Sequence, residues 1–553
     1  MIIANHFKEK FFLIFFLIFI SIFQFYSFQN IIPHHDQTFH INWLLNLKNT
    51  DHFLSSKFFI NPKNLMYDEN GFIYELLKPA NNTSDYHAYL FQINSILVVY
   101  IFSIFLEIEP IKIYIFVSIL FSSLSIIINY QILITILKDY NIYKNSNNFI
   151  YQFIFCLLNI SFYKHFFSPL GHHNISYFFF SVTILILLNR SFNNSKKFPY
   201  FMGLILGFVS YFQITIVLLL LPFISLFFLF YDFRISKNNF KRFSKFFLTC
   251  FVFYIPFIFL IINDLLTSNK NFFDNLIGGN TLGAEFYFKK IFFWFKKFYQ
   301  FGFPIIFFGF FCSIIVSFKL KKNNYIQYII LIHFIINVFL SIFYISYLRN
   351  FYYVFNIFII LSSFSLIYFF QKNNLFRLIT ILLVSFSFIY NSKIILNDKK
   401  LESVEPLFFQ LYFEDKGNLK NKIQKIISLN KNNLIFFSDF SKNYFKAHEF
   451  DFVKNNFLTT KPLLNLSRHL DAKNNSYSKN TLKKFGILDK DFHLISFTQD
   501  FNLTSSIIYK LQNSNLIDKK CRIQLPHLIN EPIFRDSGSG NFNINIYLTK
   551  MVC

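Results

Sequence analysis

Charge is scarce in this chain, and acidic charge is scarcest: 29 Asp and Glu stand against 53 Lys and Arg, and the four charged types make up 15% of 553 residues. A soluble domain carries roughly a quarter of its residues as charges, so a chain that is soluble throughout is excluded. Tryptophan (2) and glycine (13) are also few, while Phe reaches 89. A surplus of Phe, Ile, Asn and Lys is what an AT-rich coding sequence produces, and most Phe read as lipid-facing residues where another protein carries Leu. The sequence lacks a Gly-rich phosphate loop, a CxxC pair and an HExxH helix, the signatures of nucleotide, thiol-metal and zinc-protease sites. The net charge of +24 does not point to nucleic acid, because basic loops on the cytoplasmic side give many-span proteins the same balance.

What is present is apolar sequence. Hydrophobic residues are 54% of the chain and the mean hydropathy is +0.41. Runs of about 18–25 apolar residues recur from Phe11 to Tyr390 and then stop, a length that matches a bilayer core of roughly 30 Å at 1.5 Å per residue. The first run, Phe11 to Phe28, follows Lys8 and Lys10 and ends in SFQNIIPHHD without small residues for cleavage. It reads as an uncleaved span with a cytoplasmic N-terminus.

Basic clusters orient the rest. NRSFNNSKK, DFRISKNNFKRFSK, FKLKKNN and QKNNLFR all read as cytoplasmic. Spans are expected near 112–137, 148–167, 174–190, 245–263, 301–319, 325–346, 351–370 and 375–391, and 199–231 is long enough for two short spans meeting near Gln213. Residues 89–108 are apolar enough to cross, yet a crossing would export Arg190 and Lys197. A helix dipping into the membrane or lying on it keeps the parity. The fold expected is a polytopic α-helical membrane domain over 1–392, of about 11 or 12 spans. Residues 33–88 form its first outer loop, and a mixed α/β soluble domain follows over 393–553 outside the membrane. In that last domain NLIFFSDF, FHLISF and NFNINIYL read as strands and EDKGNLKNKIQKIISL as a helix. Cys156, Cys250 and Cys312 lie in spans as apolar fillers, whereas Cys521 and Cys553 fall where a disulfide is permitted.

Four polar clusters carry the candidate chemistry. In PHHDQTFHINW, Asp36 follows the first span with His34 and His35 before it and His40 four residues on. An anionic carboxylate there acts as general base on a hydroxyl, binds a divalent cation, or only caps the helix that follows. In FYKHFFSPLGHHNISY, Pro169 and Gly171 break the helix and gather Lys164, His165, His172, His173 and Asn174 at an outer loop, as a binding pocket or as solvated turn residues. In AEFYFKKIFFWFKKFYQ, Lys289, Lys290, Lys296 and Lys297 repeat at seven-residue spacing, which makes an interfacial amphipathic helix that either attracts phosphate or anchors. Arg349, in ISYLRNFYYVF, either clamps a phosphate in bidentate fashion or snorkels.

Taken together, the first span, the outer loop opening on Asp36, SPLGHHN, FMGLILGFVSYFQITIVLLLL with Gly203 and Gly207, and RNFYYVFNIFIIL resemble membrane glycosyltransferases of the C-type fold (GT-C). The likeness is to protein O-mannosyltransferases and lipid A aminoarabinose transferases, of the dolichyl-phosphate-mannose mannosyltransferase-like group, and covers roughly 10–390. The resemblance implies a hexosyl- or pentosyl-type transferase taking sugar from a polyprenyl-phosphate donor, with glycan, lipid or protein as acceptor, on the outer face of a bacterial-type inner or plasma membrane. It implies Asp36 as the catalytic carboxylate and Arg349, with Lys289 and Lys296, at the donor phosphate. His35, His40, His87, His172, His173 and Asn174 would line the sugar and acceptor pocket. No cofactor is implied; a divalent metal held by His34, His35, Asp36, His172 and His173 is the alternative to histidines that shape the pocket. The chain departs from the family in having Asp36-Gln37 for Asp-Glu or Asp-Asp, HisHisAsn where an Asp is usual, and DYHAYLFQIN, keeping only His87, for HisProPro. A flippase or transporter of lipid-linked glycans, and a non-catalytic membrane scaffold, are the other readings; transporters show internal repeats and charges within spans, whereas these spans are nearly free of internal charge and show no repeat.

Overall fold

Apolar runs without interior charge satisfy their backbone most simply by coiling into helices, and the described residues are predominantly helical. The computed structural model describes residues 11–28, 31–33, 93–106, 108, 110–160, 172–188, 195–212, 214–230, 235–267, 304–320, 351–397, 412–414, 434–437, 457–459, 492–498, 520, 522–524, 527–536 and 541–552. Its helices are α1 (Phe11–Phe28), α2 (Ile93–Phe105), α3 (Pro110–Asp139), α4 (Asn148–Ile160), α5 (His172–Leu188), α6 (Phe198–Ser210), α7 (Ile214–Leu229), α8 (Lys237–Thr267), α9 (Pro304–Leu320), α10 (Phe351–Lys372) and α11 (Asn374–Asn397). The strands are β1 (Ile31–Pro33), β2 (Tyr412–Glu414), β3 (Leu434–Phe437), β4 (Phe457–Thr459), β5 (Phe492–Thr498), β6 (Arg522–Ile523), β7 (His527–Asp536) and β8 (Asn541–Val552).

The chain divides into two compact units, one of residues 1–27, 83–98 and 115–409, the other of 28–82, 99–114 and 410–553. The first unit is the helical one. Within α3, Lys112–Asp139 (28 residues, mean hydropathy 2.0) is the one helix among the described residues long and apolar enough to cross a membrane. The eleven or twelve spans expected from sequence are not reached on that criterion. Shorter apolar stretches, such as Asn174–Leu188 and Ile357–Lys372, run 10–17 residues. α2 is 13 residues, about 20 Å of helix.

Apolar side chains cover both the inside and the outside of these helices. Leu248 and Val252 on α8, Phe308 and Ile315 on α9 and Phe386 on α11 are 60–67% exposed. Inside, the buried polar side chains among the described residues are Ser, Thr, Asn and Gln, none of them charged. Several close back on their own helix: Ser125, Thr183, Ser363 and Thr380 each donate to the carbonyl four residues earlier, the usual way a helix hides a hydroxyl in apolar surroundings.

Close backbone approach explains the glycines. A Cβ on Gly203 would stand 2.6 Å from the Phe246 carbonyl oxygen and 3.0 Å from the Cys250 nitrogen, so α6 and α8 meet backbone to backbone there. Gly207, one turn on, faces the Phe253 side chain. The spacing of small residues four apart is the packing device of close helix pairs. At Gly309 on α9 the carbonyl accepts the Ser365 hydroxyl of α10 at 2.7 Å.

The second unit contains the strands. β3 pairs β4 and β5 in parallel, and β5 pairs β8 antiparallel. β6 and β7 both run antiparallel to β8. In β8 the alternation of NFNINIYL supplies the period of two. The β7 register slips between Asn530 and Ile533, where Pro532, which has no N–H to give a ladder, falls in the irregularity. β1 pairs β2 antiparallel, Ile32 opposite Phe413, so the strand just after α1 joins the strand that opens the C-terminal region. The helix expected at 414–429 lies outside the described residues apart from Glu414, which is in β2.

Candidate functional site

Of the residues singled out by sequence, Asp36, His34, His35, His40, His87, Lys164, His165, Lys289, Lys290, Lys296, Lys297, Arg349, Cys521 and Cys553 lie outside the described residues. His172, His173 and Asn174 are described, and they correct one expectation. They form the first turn of α5, not a loop. Asn174 is buried at 2% exposure, and its Nδ2 lies 3.4 Å from the Ser118 hydroxyl on α3. Among the described residues no group of three or more His, Cys, Asp or Glu is gathered.

A polar cluster that sequence reading missed surrounds Asn174. α6 ends at Ser210 and α7 starts at Ile214, and the N–H groups of Tyr211 and Phe212 close the end of α6 on the Phe208 and Val209 carbonyls. Distant groups reach the Phe208 carbonyl as well, and the carbonyls of Tyr211 and Phe212 beyond it. The Asn94 amide donates to the Phe208 carbonyl at 3.0 Å and its backbone N–H to the Tyr211 carbonyl at 3.1 Å. The hydroxyls of Ser95 and Ser176 both donate to the Phe212 carbonyl, at 3.1 and 3.2 Å. Tyr211 in turn donates its hydroxyl to the Phe253 carbonyl of α8. The first turn of α2, the first two turns of α5, the third turn of α3 and the gap between α6 and α7 therefore meet at one level. A buried carbonyl left unpaired there would cost several kcal/mol, and Ser95 and Ser176 remove that cost at Phe212. The only sequence signal was polar residues, Asn94-Ser95 and Ser176, at the openings of apolar runs.

The helices also have a second level of contacts, at their other ends. The end of α3 meets the start of α4 through Tyr130 and Asn148, 2.6 Å apart. Gln371, in the last turn of α10, donates to the Ile142 carbonyl at 2.9 Å and meets the Tyr151 hydroxyl. α1 begins here too, Leu13 donating to Gln152 at 2.9 Å. The start of α6 packs on the end of α7 (Phe198 on Phe228), and Arg242, near the start of α8, lies 5.5 Å over the Phe228 ring.

Cations collect at these ends. Lys138 and Lys144, Lys196 and Lys197, Lys237, Lys241, Arg242 and Lys245, Lys319, Lys372 and Arg377 sit where α3, α6, α8, α9, α10 and α11 start or stop at this level. At the opposite ends, among the described residues, are Lys112 in the first turn of α3 and Lys393 in the last turns of α11. The helical unit thus has a basic end, and a distal end where the polar cluster around the α6–α7 gap is found. No protein-family model matches this chain, and no curated protein matches it.

Proposed function

We propose that this chain is a multi-spanning membrane glycosyltransferase that moves a sugar from a polyprenyl-phosphate donor to an acceptor on the extracytoplasmic side. The observation that carries the reading is the segregation of charge: cations gather at one end of the helical unit, while the polar cluster of Asn94, Ser95, Asn174 and Ser176 is found at the other. Basic residues stay on the cytoplasmic side of a membrane, so the polar end faces out. Exposed Phe, Leu and Ile along α1, α8, α9 and α11 suit a lipid-facing surface. α1 starts at the basic end and leaves at the polar end, eight residues before Asp36.

A lipid-linked donor accounts for an enzyme of this build, because the polyprenyl tail stays in hydrocarbon while the phosphate waits at the interface. The Asp36 carboxylate takes the proton of the acceptor hydroxyl as its oxygen bonds to the sugar's anomeric carbon. The bond from that carbon to the phosphate oxygen breaks, and polyprenyl phosphate leaves with inversion at the sugar carbon, by family resemblance. Lys289, Lys296 and Arg349 stabilise the departing phosphate. A monophosphate leaving group can be neutralised by Lys and Arg alone, so no metal is required. Replacing Lys289 and Lys296 together by Gln is expected to raise the donor KM several-fold with a smaller change in kcat; initial rates against donor concentration check it, and an unchanged KM would reduce the Lys helix to an anchor.

The gap between α6 and α7 favours a second reading, a flippase for the same lipid, since transporters place broken helices at their sites. Against it, the freed carbonyls are already taken by Asn94, Ser95 and Ser176, and no buried described side chain is charged. The purified chain in liposomes, given a polyprenyl-phosphate hexose and native membrane extract as acceptor, decides between them. Release of polyprenyl phosphate supports the transferase; translocation of intact lipid without cleavage supports the flippase.

A further inference from the structure

We infer that the paired starts of α6 and α8 hold an anionic phospholipid of the adjoining leaflet, its headgroup on Lys197, Lys241 and Lys245 and its acyl chains along the apolar faces that follow. The inference rests on the membrane placement proposed above and not on the transferase chemistry. A Cβ on Gly203 would meet Phe246 and Thr249, and one on Gly207, a turn further, would meet Phe253. The residue numbers rise together, so α6 and α8 run parallel in close contact and start side by side. Both starts bring the positive end of a helix dipole to the same place.

Each helix changes character at one level. On α8, Lys241, Lys245, Leu248, Val252 and Ile255 follow one another at steps of four, three, four and three, which puts them on one face. Lys241 is exposed, Lys245 is half-buried, and the three aliphatic side chains are exposed. On α6, Lys197 at the N-cap is followed at steps of three, four and four by Tyr200, Leu204 and Phe208, and all four are exposed. The two stripes join where the Lys245 Nζ lies 5.1 Å from the centre of the Tyr200 ring, a cation–π distance.

Charge and length select the occupant. α6 has no acidic residue and α8 has none before Asp264, so neither helix offers these lysines a carboxylate. A lipid phosphate supplies the complementary charge, and basic sites between membrane helices suit anionic headgroups. The stretch from Lys245 to Ile255 rises about 15 Å, half of a hydrocarbon core of roughly 30 Å, which is the depth one acyl chain fills. A free phosphate would use the lysines and leave the apolar stripes unused.

The test equilibrates the purified full-length protein in detergent with equal amounts of phosphatidylglycerol and phosphatidylcholine, and counts the lipid retained after gel filtration by mass spectrometry. The wild type should favour phosphatidylglycerol. Lys241→Gln with Lys245→Gln should lower that preference roughly ten-fold, while Lys319→Gln with Lys372→Gln, two cations of the same end on other helices, should leave it near wild type. Equal retention of the two lipids by the wild type overturns the site, and so does the same loss in both double variants, which means diffuse attraction to the whole basic end. A second measurement needs no variant: phosphatidylglycerol with a diazirine on one acyl chain should label the wild type within 204–208 and 248–255. Label spread over α1, α9 and α11 instead contradicts the inference. Alkaline carbonate tests the premise separately, because a chain that stays in membranes keeps the membrane placement whichever way the lipid counts fall, and a chain that washes off removes it.

Discussion

Replacing Asp36 by Asn is expected to lower sugar transfer by roughly 100-fold or more, the range a positioned general base supplies, without lowering the yield of folded protein. The substitution is nearly isosteric. Asn caps a helix about as well as Asp, so the structural service the residue could render survives, and only the proton-accepting charge goes. The initial rate of polyprenyl phosphate release at saturating donor is the readout. A rate equal to wild type would make Asp36 a capping residue and remove the proposed base, while the donor KM should move little either way because the proposed phosphate site is made of cations elsewhere.

The second large effect is structural. Gly203→Leu should abolish recovery of monodisperse protein, and Gly203→Ala should destabilise by about 1–3 kcal/mol or more, the cost of overpacking a closed contact. The reason is what the new carbon meets: the Phe246 carbonyl oxygen at 2.6 Å and the Thr249 Cβ at 2.8 Å. Backbone cannot rotate aside as a side-chain tip can, so α6 must move off α8. That shift would also disturb the Tyr211 bond to Phe253 and the carbonyls that Asn94 and Ser95 hold. Leu204, next in sequence but 47% exposed, is the control, and Leu204→Ala should leave the elution profile and thermal midpoint close to wild type. Normal behaviour of Gly203→Leu would mean that the two helices do not touch at this point.

How much of this was legible depends on the range of the interaction. The division of 199–231 into two helices follows from length alone, and α6 and α7 do part between Ser210 and Ile214. The end of α6 carries no local clue to its partners, because the groups that satisfy it come from Asn94 and Ser95, more than a hundred residues earlier, and from Ser176. His172 and His173 read as a loop because Pro169 and Gly171 punctuate the segment, yet the helix resumes at once after Gly171. In the C-terminal region the alternation in 541–548 announces a strand but cannot name its neighbours. That β8 lies between β5 on one edge and β6 with β7 on the other is information held in distant segments. Asp36, the Lys helix and Arg349 were read from sequence and resemblance, and their roles rest on the experiments given for them.

The account turns on the polar end of the helical unit facing out. α11 starts beside the basic end at Asn374 and runs 24 residues toward the other, so a reporter joined after Asp398 reads which side that end occupies. Alkaline phosphatase fused there should be active, and green fluorescent protein fused at the same place should stay dark. An inactive phosphatase together with a fluorescent partner fusion would turn the molecule over, put Asp36 on the cytoplasmic side and contradict transfer at the outer face.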